Sequence, residues 1–154
     1  MAGDLDDELL MENLRLLWLD ADPAPDDLAD RMVASVAMAD FTREWEVLAL
    51  VEDAQLGAVR GEADTSTLQF SDGVTNVLLH VAAATRDRRR VDGWVDSTPL
   101  EIRLSQNDRS WQAVANDSGR FAFETLPRGV ARLRLVVRRP DGSLRDFETP
   151  QFEV

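Results

Sequence analysis

The sequence predicts an α+β fold: an N-terminal helical segment followed by an antiparallel β-sandwich. Three observations predict it. Apolar residues recur at three- and four-residue spacing up to about residue 54, and at every second residue from about residue 66. Charge divides at the same place, since residues 1–64 hold 17 acids and 4 arginines whereas residues 65–154 hold 12 acids and 13 arginines. Turn-forming residues then punctuate the second half at the roughly 8–12-residue spacing of short antiparallel strands. The predicted organisation is an acidic helical segment over 1–56, a linker over 57–65 and a sandwich over 66–154.

The first helix is carried by Leu5, Leu9, Leu10, Leu14, Leu17 and Trp18, with Asp4, Asp6, Asp7 and Glu8 at its dipole-positive start. Asp20-Ala21-Asp22-Pro23-Ala24-Pro25 breaks it, because proline disfavours helix in the residue before it. Pro25 is placed to open a second helix with Asp26 and Asp27 in its first turn. Leu28, Met32, Ser35, Val36 and Ala39 mark that helix's expected buried stripe. Phe41, Trp45, Leu48 and Glu52 predict a third helical segment, either set off by a break or kink near Asp40, the preferred reading, or continuous with the second. These stripes either pack on each other and on the sheet, or leave one face to dock a partner.

From Leu68 and Phe70 the period is two. Thr75, Val77, Leu79, Val81 and Ala83 share one strand face, and Asn76, Leu78, His80 and Ala82 the other. Val91, Gly93 and Val95 form a strand expected to stop at Ser97-Thr98-Pro99. Leu100, Ile102 and Leu104 follow, then a turn at Asn107-Asp108-Arg109, and Trp111, Ala113 and Ala115. Asn116-Asp117-Ser118-Gly119 is a second turn in which Gly119 supplies a positive φ. Phe121 and Phe123 point inward, as do Ala131, Leu133, Leu135 and Val137 between Arg132, Arg134 and Arg138. Pro140-Asp141-Gly142 leads to a last strand ending at Phe152 and Val154. Seven or eight strands result, and Phe121, Phe123, Leu126, Leu133 and Leu135 are the expected core.

The composition excludes more than it selects. All 17 basic residues are arginine, and lysine, cysteine and tyrosine are absent. Disulfides, thiolate metal sites and Schiff-base chemistry are therefore excluded, and His80 alone cannot build a histidine metal cluster or a credible Ser–His–Asp triad. An EF-hand counted from Asp20 would need Gly and Glu where Pro25 and Arg31 stand. No Gly-rich phosphate loop is present. A net charge of −12 opposes nucleic acid and favours a basic protein surface. Arg86, Arg88, Arg89 and Arg90 form the one basic cluster, read as a solvated turn or a docking point for the acidic half. The acidic start lacks a secretory signal, and no apolar run spans a bilayer, so the sequence predicts a soluble cytoplasmic protein.

From Val91 onward the chain resembles the carboxypeptidase regulatory-like, transthyretin-like (Ig-like) domains. Gly93-Trp94-Val95 matches the family's Gly-x-Val strand and Leu100-Glu101-Ile102 the strand after it. Asn116, Asp117, Gly119, Phe121, Phe123, Leu126, Gly129, Ala131 and Leu133 follow its turn-and-aromatic motif, with Ala131 at the usual tyrosine position. The resemblance implies a sandwich with a binding or scaffolding role. The whole layout is similar to small actinobacterial proteins that accompany extracytoplasmic-function sigma factors, which implies an association with transcriptional regulation. The zinc motif of the common anti-sigma domain, His-x3-Cys-x2-Cys, is missing.

The reading reached is a non-catalytic intracellular regulatory protein without cofactor, metal, nucleic-acid or membrane binding. Its acidic helical face takes a basic protein partner, in this resemblance a sigma factor or related regulator, through Asp26, Asp27 and Asp30 with Trp18 and Trp45 as apolar anchors. The alternative is a structural or ligand-binding sandwich of adhesion or carbohydrate type.

Overall fold

The computed structural model of the chain describes residues 2–40, 42–56 and 65–154, and within these the side chains of all but 2–5 and 52–56. The described residues form two helices and eleven strands. Helix α1 spans Ala2–Ala21 and α2 spans Leu28–Ala39. The proline pair between them ends one and starts the other: the Leu28 amide donates to the Pro25 carbonyl at 3.0 Å, and Arg31 to Asp27 at 2.9 Å. The break predicted near Asp40 is present. Asp40 leaves the helix with φ −80° and ψ 103°. Its carboxylate accepts from the Thr42 amide and hydroxyl at 2.9 and 2.8 Å, a local bond that competes with continued helix.

The predicted third helix is replaced by strands β1 (Glu46–Val47) and β2 (Ala49–Leu56). The run Val47 to Val51 suits either element by spacing, and partners far along the chain decide it. β1 lies parallel to Phe147–Glu148, and β2 pairs antiparallel with β3 (Thr65–Ser71). Leu48 between them is fully buried and donates its amide to the Glu148 carbonyl at 2.9 Å. The chain crosses there from one sheet to the other. The helical stretch therefore ends at Ala39, and the sandwich begins at Glu46 rather than at residue 66. Phe41 and the expected linker, apart from Thr65, lie outside the described residues.

One sheet adds β4 (Asn76–Thr85), β5 (Arg88–Val95) and β8 (Arg120–Pro127), in the order β2-β3-β4-β5-β8. The other joins β1 to β6 (Thr98–Gln106), β7 (Arg109–Ala113), β9 (Val130–Arg138) and β10 (Leu144–Glu148), in the order β1-β10-β9-β6-β7. Apart from the parallel β1–β10 contact, these ladders are antiparallel. Pro99 lies inside β6 at a register shift instead of ending a strand. The last strand is divided: β11 (Phe152–Glu153) pairs with the start of β9 after Thr149-Pro150.

The inner faces meet in one core. The five expected core residues, Phe121, Phe123, Leu126, Leu133 and Leu135, are all buried in it. Ala131 is buried opposite Phe152, whose ring packs 5.9 Å from Phe70.

Helix α2 lies on the outer face of the β6–β9 pair through a second, smaller cluster. Ala34, Ala37 and Met38 meet Val136, with Trp45 and Leu100 at the margin. The stripe predicted to be buried instead faces outward, with Met32 61% and Val36 71% exposed. Small side chains let the helix backbone approach the sheet closely, so the alanine face is the one that packs.

Candidate functional site

Helix α1 carries the densest run of exposed large apolar side chains among the described residues. Leu9, Leu10, Met11, Leu14, Leu16, Leu17, Trp18 and Leu19 are all exposed, Trp18 to 67%. Exposed apolar side chains in this number on one helix point to an interaction surface. Within the described side chains, α1's polar contact is local, Arg15 gripping Glu12 at 2.7 Å. That pair lowers the Glu12 carboxyl below its ordinary range, chiefly through the hydrogen bond. Helix α2 adds Leu28, Met32, Val33 and Val36 on its outward side. Residues 2–21 carry six acids against one arginine, so the apolar surface is set in negative charge.

The five predicted partner-binding residues are not one patch. Trp18 is exposed on α1, and Asp26 is exposed in the proline-rich turn. Asp27 is half-buried at the start of α2. Asp30 forms an ion pair with Arg138 of β9 at 2.5 Å, which ties α2 to the sheet. Trp45 is half-buried beside the α2 cluster, with the Arg134 guanidinium 5.2 Å from its ring centre. Asp30 and Trp45 thus hold the helix in place, while Trp18 and Asp26 face solvent. The sequence reading found the stripe Leu28, Met32 and Val36 of α2 but assigned it to the core, because amphipathic spacing gives two candidate faces and not which one packs.

A groove of about 700 Å³ opens between α2 and one end of the sandwich. Asp27 and Arg31 line it from α2, Gln112 and Val114 from β7 and the segment after it, and Glu101 from β6. Glu101 is buried, accepts from the Gln112 amide at 2.7 Å and lies 3.7 Å from Arg103. Trp94 lines the far side, 38% exposed, and donates its indole N–H to the Ser118 carbonyl at 3.0 Å.

The arginine cluster divides by position. Arg90 forms an ion pair with Asp92 at 2.7 Å and reaches Glu124 at 3.4 Å. Its hydrogen bonds hold the Asp92 carboxyl below the ordinary carboxylate range. Arg89 is buried, and burial, with Arg128 nearby, pulls its guanidinium down. His80 is exposed on β4 with Nδ1 3.1 Å from the Thr67 hydroxyl. Among the described residues no cluster of His, Cys, Asp and Glu is placed to hold a metal, and no helix is long and apolar enough to cross a membrane.

What these features define is a two-sheet β-sandwich bearing one docked helix and one exposed acidic, leucine-rich helix. Neither a protein-family model, nor a curated protein, nor a solved structure matches the chain.

Proposed function

We propose that the protein is a non-catalytic, intracellular interaction protein whose helical part captures a basic protein partner. The observation that carries this reading is the exposure of Leu9, Leu10, Leu14, Leu17 and Trp18 on a helix flanked by acids. An exposed helix with its leucines and Trp18 free is suited to a hydrophobic groove, and the surrounding charge selects a basic one. Trp18 is the anchor, since buried aromatics dominate interface energy. The sandwich serves as the scaffold, in keeping with its carboxypeptidase regulatory-like resemblance. The layout resemblance makes an extracytoplasmic-function sigma factor the first partner to test.

The experiment measures binding kinetics of the full chain with such a sigma factor. Trp18→Ala is expected to raise the dissociation rate by about tenfold or more, the effect of losing an interface anchor. Reversing Asp20, Asp22 and Asp26 to arginine is expected to slow association and leave dissociation nearly unchanged. Kinetics indifferent to Trp18 reject the helical anchor, and absence of binding rejects this partner class. The partly exposed Trp94 favours a second reading, a ligand-binding sandwich. Saccharide binding lost in Trp94→Ala would establish it.

A further inference from the structure

The outer edge of β7 is an open sheet edge among the described residues. Among the described residues β7 pairs with β6 alone. Gln106 and Arg109 flank the two-residue turn Asn107-Asp108, where Asn107 has φ +48°. A hydrogen-bonded pair closes such a turn, after which bonded and open pairs alternate along the ladder. Ser110 and Gln112 therefore fall on open pairs and turn their backbone N–H and C=O groups away from β6. Among the described residues, no strand, turn or side chain bonds those groups. Ser110 and Gln112 are exposed, and Val114 just beyond is 85% exposed.

Unpaired edges template foreign strands unless charge, proline or a bulge blunts them. From Ser110 to Val114 the chain carries none of these. The edge of the other sheet on the same side, β8, carries Arg120 and Glu124 and ends at Pro127. β7 also borders the groove, through Gln112. That groove is lined by Asp27, Asp96, Glu101 and Asp117 against Arg31 alone, a formal charge of −3. Asp27 and Asp117 carry no ion pair among the described residues.

We propose that an extended, arginine- or lysine-bearing segment of the protein partner adds as a strand to β7. Its backbone pairs with Ser110 and Gln112, and one cationic side chain enters the groove toward Asp27 and Glu101. Main-chain pairing supplies affinity in this mode, and the pocket beside the edge supplies side-chain selectivity. The proposal rests on the reading above that the partner is basic, and places a second contact of that partner on the sandwich.

The test uses the full chain and a labelled decapeptide of alternating arginine and valine, with a glutamate–valine counterpart as control. Saturating arginine–valine peptide is expected to slow amide exchange at Ser110 and Gln112 by about tenfold or more, since paired amides exchange only when the added strand opens. Asp27→Arg is expected to weaken the peptide about tenfold, equivalent to about 1.4 kcal/mol. Ser110→Pro is expected to abolish binding, because it removes an outward N–H without touching the β6 ladder. The glutamate–valine peptide is expected not to bind. Unchanged exchange at Ser110 and Gln112 overturns the proposal whatever the variants do. Slowed exchange confined to α1 also overturns it, while leaving the helical reading standing. No peptide binding by any element overturns it too, and the helical reading then stands or falls on its own sigma-factor test.

Discussion

Gly93 sits opposite Phe121 in the β5–β8 ladder, and a Cβ at that position would come within 2.2 Å of the Phe121 ring. The ring is buried and meets Phe123 edge-on at 6.1 Å, so making room would disturb packed neighbours. Gly93→Ala is therefore expected to cost about 1–3 kcal/mol, the range for overpacking a filled core. The check is a lowered urea midpoint with the slope unchanged. Gly119 serves differently, as the sequence anticipated: φ is +77°, and a Cβ would also strike the Val95 carbonyl. One motif thus contains a turn glycine and a packing glycine. The first was legible from its neighbours Asn116-Asp117-Ser118. The second was not, because nothing local says that Phe121 on another strand needs the space.

Elements were legible where periodicity and turn chemistry agreed, and illegible where a distant partner decided. β4 follows its predicted alternation, with Val77, Leu79 and Val81 buried and Leu78 and His80 exposed. β1 could not be read, since two residues become a strand only because Phe147 and Glu148 lie beside them. Pairs that join elements distant in sequence are correspondingly informative, and Asp72 with Arg139 is one. Asp72 caps the β3–β4 turn by accepting from the Val74 and Thr75 amides at 3.0 and 2.7 Å. Its other oxygen meets Arg139, which follows β9 in the opposite sheet and also donates to the Thr75 hydroxyl at 3.2 Å. Burial works to raise the Asp72 pKa, but the two amides and the arginine outweigh it, and the carboxyl stays below its ordinary value. A lowered folded-state pKa contributes stability that is present above the unfolded value and lost as pH falls through the folded one. Asp72→Asn is expected to cost about 1.5–3 kcal/mol at neutral pH, the range for a hydrogen bond to a charged group. Denaturation midpoints of the two proteins should converge once the pH drops below the carboxylate range. A difference that persists undiminished in acid would assign the loss to geometry rather than charge.

At the scale of the whole molecule the sandwich and α1 are separable in their energetics. Removing residues 1–21 takes away six acids and one arginine, so the net charge falls in magnitude from −12 to −7. The side chains described on α1 are exposed, whereas among the described residues the core and the α2 cluster draw on none before Ala34. The shortened chain is expected to unfold within about 0.5 kcal/mol of the full one, the usual limit for changes away from packed or paired groups. Binding should respond very differently. Charge-steered association weakens as salt shortens the screening length from about 30 Å at 0.01 M to about 8 Å at 0.15 M. The full chain should therefore lose association rate with a basic partner by about tenfold or more across that range, and the shortened chain by much less. Stopped-flow mixing at several salt concentrations measures both. A shortened chain that matches the full one in rate and salt slope would move recognition from the helices to the sandwich. The acidic groove beside β7 would then be the surface left to account for it.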